Sequence, residues 1–415
     1  MRKPSTIEHL YLDFDGFFAS VEQQLNPRLR GQPVGVIPYE GGPRACIIAA
    51  SREAKAAGVK NIMMADEARR ICPDLVLVPQ KPAMYRRAHN ALVAEIDSVV
   101  PVDVVKSIDE LACQLDGDQR DDPESVGEAI KRGIRDNIGP YITCSIGFAA
   151  NRHLAKIACK VDKPDGLTIW HPHIMPDPLF GIALEDIPGV GQRMARRLAQ
   201  ANIITTRQLY ATEPKQMRAL WRNVTGERLW YALHGYSITA PDTERGMFGH
   251  ARVLPPDQRR LDDAEQISRL LLTKAARRMR RDGYYCAGIW LWARSYDEEW
   301  SEQRSLPIVH DDCALLRGLS DLWGRVRAKA PRAARIMRVG VTLFDLSPAS
   351  QRQLDWIEGD DATRQRWERV GAAIDALNSR FSATVVSVGP WQPPKGGNVG
   401  GKIAFTRIPS AEDFW

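Results

Sequence analysis

Near its start the chain reads Tyr11-Leu12-Asp13-Phe14-Asp15-Gly16. Leu10–Phe14 has the length and apolar character of a buried β-strand, yet Asp13 stands inside it between Leu12 and Phe14. A carboxylate in such a strand is costly unless something meets it. Few features constrain a fold more, because some other part of the chain, or a bound cation, must be brought to that position. A second acidic pair, Asp109-Glu110, follows Ser107-Ile108 between two apolar runs, Val102–Ser107 and Leu111–Leu115. These runs pattern as a hairpin with the acids in its turn. Taken alone, each pair is better read as solvated turn residues.

If the first strand and the hairpin are neighbours in one sheet, Asp13, Asp109 and Glu110 converge. Three carboxylates at one point raise one another's pKa unless cations intervene. Oxygen-only donors suit Mg²⁺, which keeps waters and bridges substrate phosphates. Two such ions can clamp an in-line phosphoryl displacement. After Asp15, Gly16-Phe17-Phe18 opens a helix, and N–H groups at a helix start bind phosphate oxygens. Arg52 and Lys55, at i and i+3 of a short helix, and Lys163, in the turn Asp162–Gly166, are basic residues within plausible reach. On spacing alone Arg52 and Lys55 are surface charges.

The first 165 residues alternate short strands with helices, which predicts an α+β domain with an antiparallel sheet. Residues 166–240 turn helical, with five short segments. Residues 245–346 return to strands around two helices, Ala264–Asp282 and Cys313–Ala330, in the order β-α-β-β-α-β of a ferredoxin-like unit. Residues 347–415 hold one helix, Asp361–Arg380, and the Gly/Pro-rich stretch Pro390–Gly401. A length of 415 residues accommodates these domains. No apolar run is long enough to span a bilayer, and no apolar leader precedes the first strand. The seven cysteines include no CxxC pair, as expected of reduced thiols in a cytoplasmic protein.

The chain carries a net charge of +6. Divided by segment, residues 1–165 carry −1, residues 166–240 carry +3, residues 241–350 carry +4 and residues 351–415 are neutral. All of the excess lies outside the part that holds the carboxylates. Within it, residues 266–283 hold six Lys/Arg and residues 313–340 hold seven.

Four motifs, in order, resemble those of the Y-family (translesion) DNA polymerases of the bacterial DinB/UmuC-like type. They are Tyr11–Glu22, Ser107–Glu110, Leu154–Ala158 followed by Lys163–Gly166, and Ile187-Pro188-Gly189-Val190-Gly191. The resemblance spans residues 7 to about 345. It implies a right-hand polymerase: a palm (1–25 and 75–165), small fingers (26–74), a helical thumb with a helix-hairpin-helix (166–240), a ferredoxin-like little finger (245–346) and a tail (347–415). It implies two Mg²⁺ ions held by Asp13, Asp109 and Glu110 with the carbonyl of Phe14. The nucleotide segment then comprises Phe14, Asp15, Gly16, Phe17 and Phe18, with Arg52, Lys55 and Lys163 on the triphosphate. Asp15 falls to turn hydrogen bonding, and Phe18 matches the ring that excludes a 2′-hydroxyl. The family commonly has Tyr and Arg where this chain has Arg52 and Lys55. A lysine offers a point charge in place of a fork.

The same resemblance implies primer-template DNA and deoxynucleoside triphosphates as partners. Gly189, Val190, Gly191 and Arg193 would meet a DNA phosphate, a contact without sequence information, with Arg196 and Arg197 following. In the tail, Gln353, Leu354 and Trp356 resemble the short peptides that dock into a sliding clamp. Regulatory repair subunits and no membrane complete the implied partners. Two other readings stay open on the residues. A palm-type nucleotidyl cyclase shares the carboxylates but has no need of a duplex grip. A non-catalytic or partner-dependent repair accessory protein would keep the fold.

Overall fold

The computed structural model describes residues 1–38, 45–239, 244–351 and 361–389. The chain divides into two compact units between residues 241 and 242. In the first, the buried strand is β1 (His9–Phe14), followed by α1 (Phe17–Leu25). Gly16 makes the turn between them: its φ is +56°, and a Cβ there would stand 2.8 Å from the Ala50 carbonyl oxygen. Only glycine tolerates both conditions.

Next come β2 (Val34–Ile37), β3 (Ala49–Ala50), α2 (Arg52–Ala56), α3 (Ala65–Ile71), β4 (Val76–Pro79) and α4 (Pro82–Asp97). They are followed by β5 (Val102–Val105), β6 (Glu110–Gln114), α5 (Gly117–Asp121), α6 (Pro123–Gly133), β7 (Cys144–Ala149), α7 (Arg152–Val161) and β8 (Leu167–Ile169). Ser51 and Asn151 cap α2 and α7, their side-chain oxygens accepting from Ala54 and Leu154 N–H. A five-stranded sheet runs β5-β6-β1-β7-β8, and a three-stranded one β3-β2-β4. β1 is antiparallel to both neighbours, with Asp13 opposite Glu110 on one side and Ser145 on the other.

Three expectations are corrected here. β8 pairs in parallel with β7, so the large sheet extends past residue 165 and is not wholly antiparallel. Three residues are too few to show strand alternation, and α7 supplies the crossover that parallel pairing needs. β4 pairs with β2, so residues 76–79 belong with the small sheet rather than the large one. A strand's own pattern does not name its partner. The strand expected over Cys46–Ala50 is confined to Ala49–Ala50, with Cys46 making an isolated bridge to Met64.

The helical segment holds α8 (Gln192–Gln200), α9 (Thr206–Tyr210), α10 (Pro214–Trp221) and α11 (Val224–Leu233). Its apolar faces share one core with α7, through Leu154 and Ile157 against Leu198, Leu209, Met217 and Leu229. The Asn151 side chain adds hydrogen bonds to the Ala232 and Tyr236 carbonyls at 2.8 and 2.9 Å.

The second unit comprises β9 (Met247–Val253), α12 (Leu261–Arg281), β10 (Tyr284–Arg294), β11 (Glu299–Val309), α13 (Asp312–Lys329), β12 (Arg338–Pro348) and α14 (Asp361–Phe381). The first six follow the expected β-α-β-β-α-β order. The sheet runs β11-β10-β12-β9, so each β-α-β unit is split by a strand of the other. Ile289, Leu291, Ala293, Val339, Val341 and Leu343 form the core with both helices. The alternate residues, Trp290, Trp292 and Phe344 among them, face the other way. Trp292 lies across Gly340, where a Cβ would come within 2.4 Å of the indole. Trp323, fully buried, donates from its indole N–H to Ser268 at 2.8 Å and joins α13 to α12. The tail helix α14 is held by Asp375, which pairs with Arg277 at 3.2 Å and Arg280 at 2.6 Å.

Candidate active site

The register of β1 with β6 decides the geometry of the acids. Asp13 lies directly opposite Glu110, and the Asp109 carbonyl accepts the Phe14 N–H at 2.8 Å. The turn is fixed from below by His89, whose Nδ1 lies 2.8 Å from the Ile108 carbonyl oxygen. Ser107 Oγ donates to Asp109 Oδ1. The three carboxylates therefore meet at one end of two central strands of the large sheet.

Two ammonium groups stand among them. Lys163 pairs with Asp13 and lies 3.9 Å from Asp15. Lys156 Nζ is 2.8 Å from each oxygen of Glu110. With Asp13 and Glu110 each turned to a lysine, no three His, Cys, Asp or Glu side chains among the described residues are grouped to hold a metal ion. The donor set still fits one. Its members are oxygens, and the acids are only partly matched by the lysines. Burial pushes the Asp13 carboxyl up to about 6; Lys163 opposes that shift, while Asp109 and Glu110 add to it. Burial also raises Asp109, against the Ser107 hydrogen bond. Burial alone would lower Lys163, but its pairing with Asp13 raises it.

A raised carboxyl stabilises the fold when protonated. Asp13 thus contributes fully below its ordinary value of 3.8, and the contribution is lost as pH rises through about 6. In chelator-treated protein, Asp13→Asn is expected to flatten the fall in stability across that window by about 3 kcal/mol. Urea midpoints at stepped pH check this. An unchanged pH slope would move the proton to another group.

Asp15 is engaged on both oxygens. Oδ1 accepts from Ser145 Oγ at 2.9 Å, and Oδ2 accepts from Thr143 Oγ1 at 3.1 Å and the Asp165 N–H at 2.9 Å. It ties β1 to β7 and to the Lys163 turn. Lys55 reaches the Gly16 turn, its ammonium 3.8 Å from where a Cβ on Gly16 would stand. Arg52, one helical turn earlier, is exposed. Phe17 packs on Phe14 with ring centroids 5.5 Å apart.

Phe18, 4% exposed, stacks on Tyr85 at 4.5 Å with 10° between planes. Tyr85 donates its hydroxyl proton to Glu22 at 2.8 Å, and Lys81 pairs with the other Glu22 oxygen at 2.7 Å. Sequence reasoning missed Tyr85, Glu22 and Lys81. The one available signal was Glu22 on the otherwise apolar face of Phe17–Leu25.

In the helical segment, Gly189 and Gly191 flank Val190, whose side chain is buried. That leaves backbone at the surface of the turn, beside exposed Arg193 and Arg196. Arg197 is committed elsewhere, donating to the Leu220 carbonyl at 3.0 Å. The basic runs of the second unit are also partly consumed. Arg278 donates to the Gly249 carbonyl, and Arg327 pairs with Asp262 and Glu265. Gln353, Leu354 and Trp356 lie outside the described residues.

The sequence matches the model of the impB/mucB/samB family over residues 12–160 and that of the impB/mucB/samB family C-terminal domain over residues 245–356. It is 31% identical over 390 residues to the DNA polymerase IV of Moorella thermoacetica, covering 91% of this chain and 94% of that one. DNA polymerase IV 2 of Mesorhizobium japonicum is 29% identical, covering 93% and 94%. Among solved structures, a Y-family DNA polymerase chimera of Dbh and Dpo4 superposes with a TM-score of 0.67 at 24% identity, covering 81% of this chain and 98% of the other. The insertion ternary complex of Dbh DNA polymerase gives 0.55 at the same identity and coverage. The two family segments and the full-length relatives agree, and the chain belongs to the impB/mucB/samB family as a bacterial DinB-like Y-family DNA polymerase.

Proposed function

We propose that this enzyme adds deoxynucleotides to a primer 3′ end under the direction of a template strand, damaged templates included, by two-metal nucleotidyl transfer. One observation carries the reading. Asp13 stands opposite Glu110 with Asp109 beside them, at the point where β1 gives way to the Gly16 turn and α1.

The palm is then the large sheet with α7, the fingers the small sheet, the thumb α8–α11, and the little finger the β-α-β-β-α-β unit. Asp13, Asp109, Glu110 and the Phe14 carbonyl would hold two Mg²⁺ ions, which when bound activate the 3′-hydroxyl and stabilise the leaving pyrophosphate. Lys55 and Lys163 neutralise the triphosphate from the fingers and palm sides, with Arg52 beside them. The Gly16 turn offers it the first N–H groups of α1. Phe18 packs under the sugar. The Gly189–Gly191 turn and Arg193 hold a DNA phosphate, and the face of the little-finger sheet opposite α12 and α13 lies along the duplex.

Nothing in the site favours the non-catalytic alternative, since every expected acid is present. The test is primer extension with Mg²⁺ on undamaged and lesion-bearing templates. Template-matched extension on both is expected. DNA binding without any extension would sink the reading.

No helix among the described residues is long and apolar enough to cross a membrane. We place the enzyme in the cytoplasm, with regulatory repair subunits as further partners. The tail peptide Gln353-Leu354-Asp355-Trp356 is proposed to dock on a sliding clamp through Leu354 and Trp356. Replacing both by Ala is expected to weaken clamp capture at least about tenfold, as loss of two buried anchors does. Primer extension without clamp should be unaffected. Equal capture of variant and parent would move the clamp site elsewhere.

A further inference from the structure

The proposed reaction leaves one cation in the active site without a role. Lys163 has a second destination, the triphosphate. Lys156 has none, yet it makes three hydrogen bonds among these groups. Its ammonium lies 2.8 Å from both Glu110 oxygens and 2.9 Å from the Tyr11 hydroxyl. Tyr11 in turn donates to Glu110 Oε2 at 3.0 Å. Lys156 also sits 4.9 Å from the centre of the Tyr11 ring.

The three groups close a triangle, and the fold dictates it. Tyr11 and Asp13 are two apart in β1 and share a face. Glu110 is opposite Asp13 in β6. α7 packs Leu154, Ala155, Ile157 and Ala158 into the core, which aims Lys156 at the acids. Tyr11 is 2% exposed, so its hydroxyl must find partners within the protein. Glu110 and Lys156 are the partners it finds.

The two Glu110 oxygens are not equivalent. Oε2 has Lys156 and Tyr11, while Oε1 has Lys156 alone. A divalent cation approaching Glu110 meets an ammonium already in place, and the oxygen that costs less to release is Oε1.

We propose that Lys156 is a positioning residue: with Tyr11 it serves as the resident counter-ion of Glu110, weakening the loading of a metal ion and directing Oε1 towards it. The inference rests on the metal-site reading above. It gives the site a reason to load fully only when substrate phosphates add their own negative charge.

The test is equilibrium binding of Mn²⁺ to the full-length protein without DNA or nucleotide, read by electron paramagnetic resonance of the free ion. Removing a positive charge next to the ligand should tighten binding, so Lys156→Met is expected to bind Mn²⁺ about tenfold more tightly. In primer extension the same variant should lose kcat with little change in KM for the nucleotide, because the triphosphate contacts lie elsewhere. Lys156→Arg, which keeps the charge, should restore parental Mn²⁺ affinity. Lys156→Gln repeats the measurement if the Met variant does not fold.

Unchanged or weaker Mn²⁺ binding in the uncharged variants, or an Arg variant that behaves like them, overturns the proposal. If instead Asp109→Ala leaves Mn²⁺ binding of the parent protein intact, the metal-site reading itself has failed.

Discussion

Asp109→Ala is expected to lower Mg²⁺-dependent primer extension by roughly 10³-fold, about 4 kcal/mol of transition-state stabilisation, while DNA affinity stays close to parental. The backbone reason for choosing this acid is that its carbonyl joins the turn to β1, while its carboxylate, among the described residues, accepts only from Ser107 Oγ within the same turn. The Asp109 carbonyl accepts the Phe14 N–H, and alanine keeps it. The carboxylate, by contrast, is held at some cost, since burial raises its pKa. Its removal should leave the metal-free protein as stable or more stable, the usual trade between a catalytic group and its scaffold. An unfolding midpoint that does not fall, together with lost extension, identifies a chemical defect. Retained extension would refute the assignment of Asp109 to the metal site. Glu110→Ala should also abolish extension, but it strands Lys156 half-buried without its carboxylate, and its effect on stability is less clean.

The acids themselves were legible because each breaks a local pattern. Asp13 interrupts an apolar strand, and Asp109-Glu110 interrupts a hairpin. The element order of the second unit was legible for a similar reason, since its helices and strands are long enough to show their periods. Of the two cations that answer the acids, Lys163 was legible from its turn and pairs with Asp13, whereas Lys156 was not. Lys156 and Tyr11 are 145 residues apart, and nothing local marks a lysine on an amphipathic helix as inward-facing.

Charge runs carry a comparable limit. Arg277 and Arg280 count towards the basic run over residues 266–283, but α14 returns Asp375 to both. Arg280, shared between Asp312 at 2.8 Å and Asp375 at 2.6 Å, is a structural joint. The net excess of +4 over residues 241–350 therefore overstates the charge available to a duplex. Short elements failed for lack of period: β8 has three residues and β3 has two. The order of strands in a sheet is a property of pairs, which a single strand's pattern does not carry.

Phe18→Ala is expected to raise ribonucleotide incorporation relative to deoxynucleotide incorporation by roughly 10²-fold, about 3 kcal/mol. A steric gate works only if the ring cannot retreat when a 2′-hydroxyl presses on it. The packing behind Phe18 supplies that resistance. Its ring lies flat on Tyr85 at 4.5 Å, with Phe17 at 5.7 Å on its flank. Tyr85 is fully buried, and Glu22, also fully buried, fixes its hydroxyl. Burial and the nearby Glu22 charge raise the Tyr85 phenol, so it remains a neutral donor to that carboxylate at any working pH. Glu22 is in turn held by Lys81, the residue that precedes α4, which makes the wall behind the gate a joint between two helices rather than one side chain. Tyr85→Ala, which opens space behind an intact gate, should therefore relax sugar selectivity in the same direction by a smaller factor. Phe18→Leu, which keeps most of the volume, should fall between parent and Ala. Single-nucleotide insertion with paired ribo- and deoxynucleotides measures all three. A parental ratio in Phe18→Ala would remove Phe18 from the sugar pocket, whereas a parental ratio in Tyr85→Ala alone would show that the gate needs no support from behind.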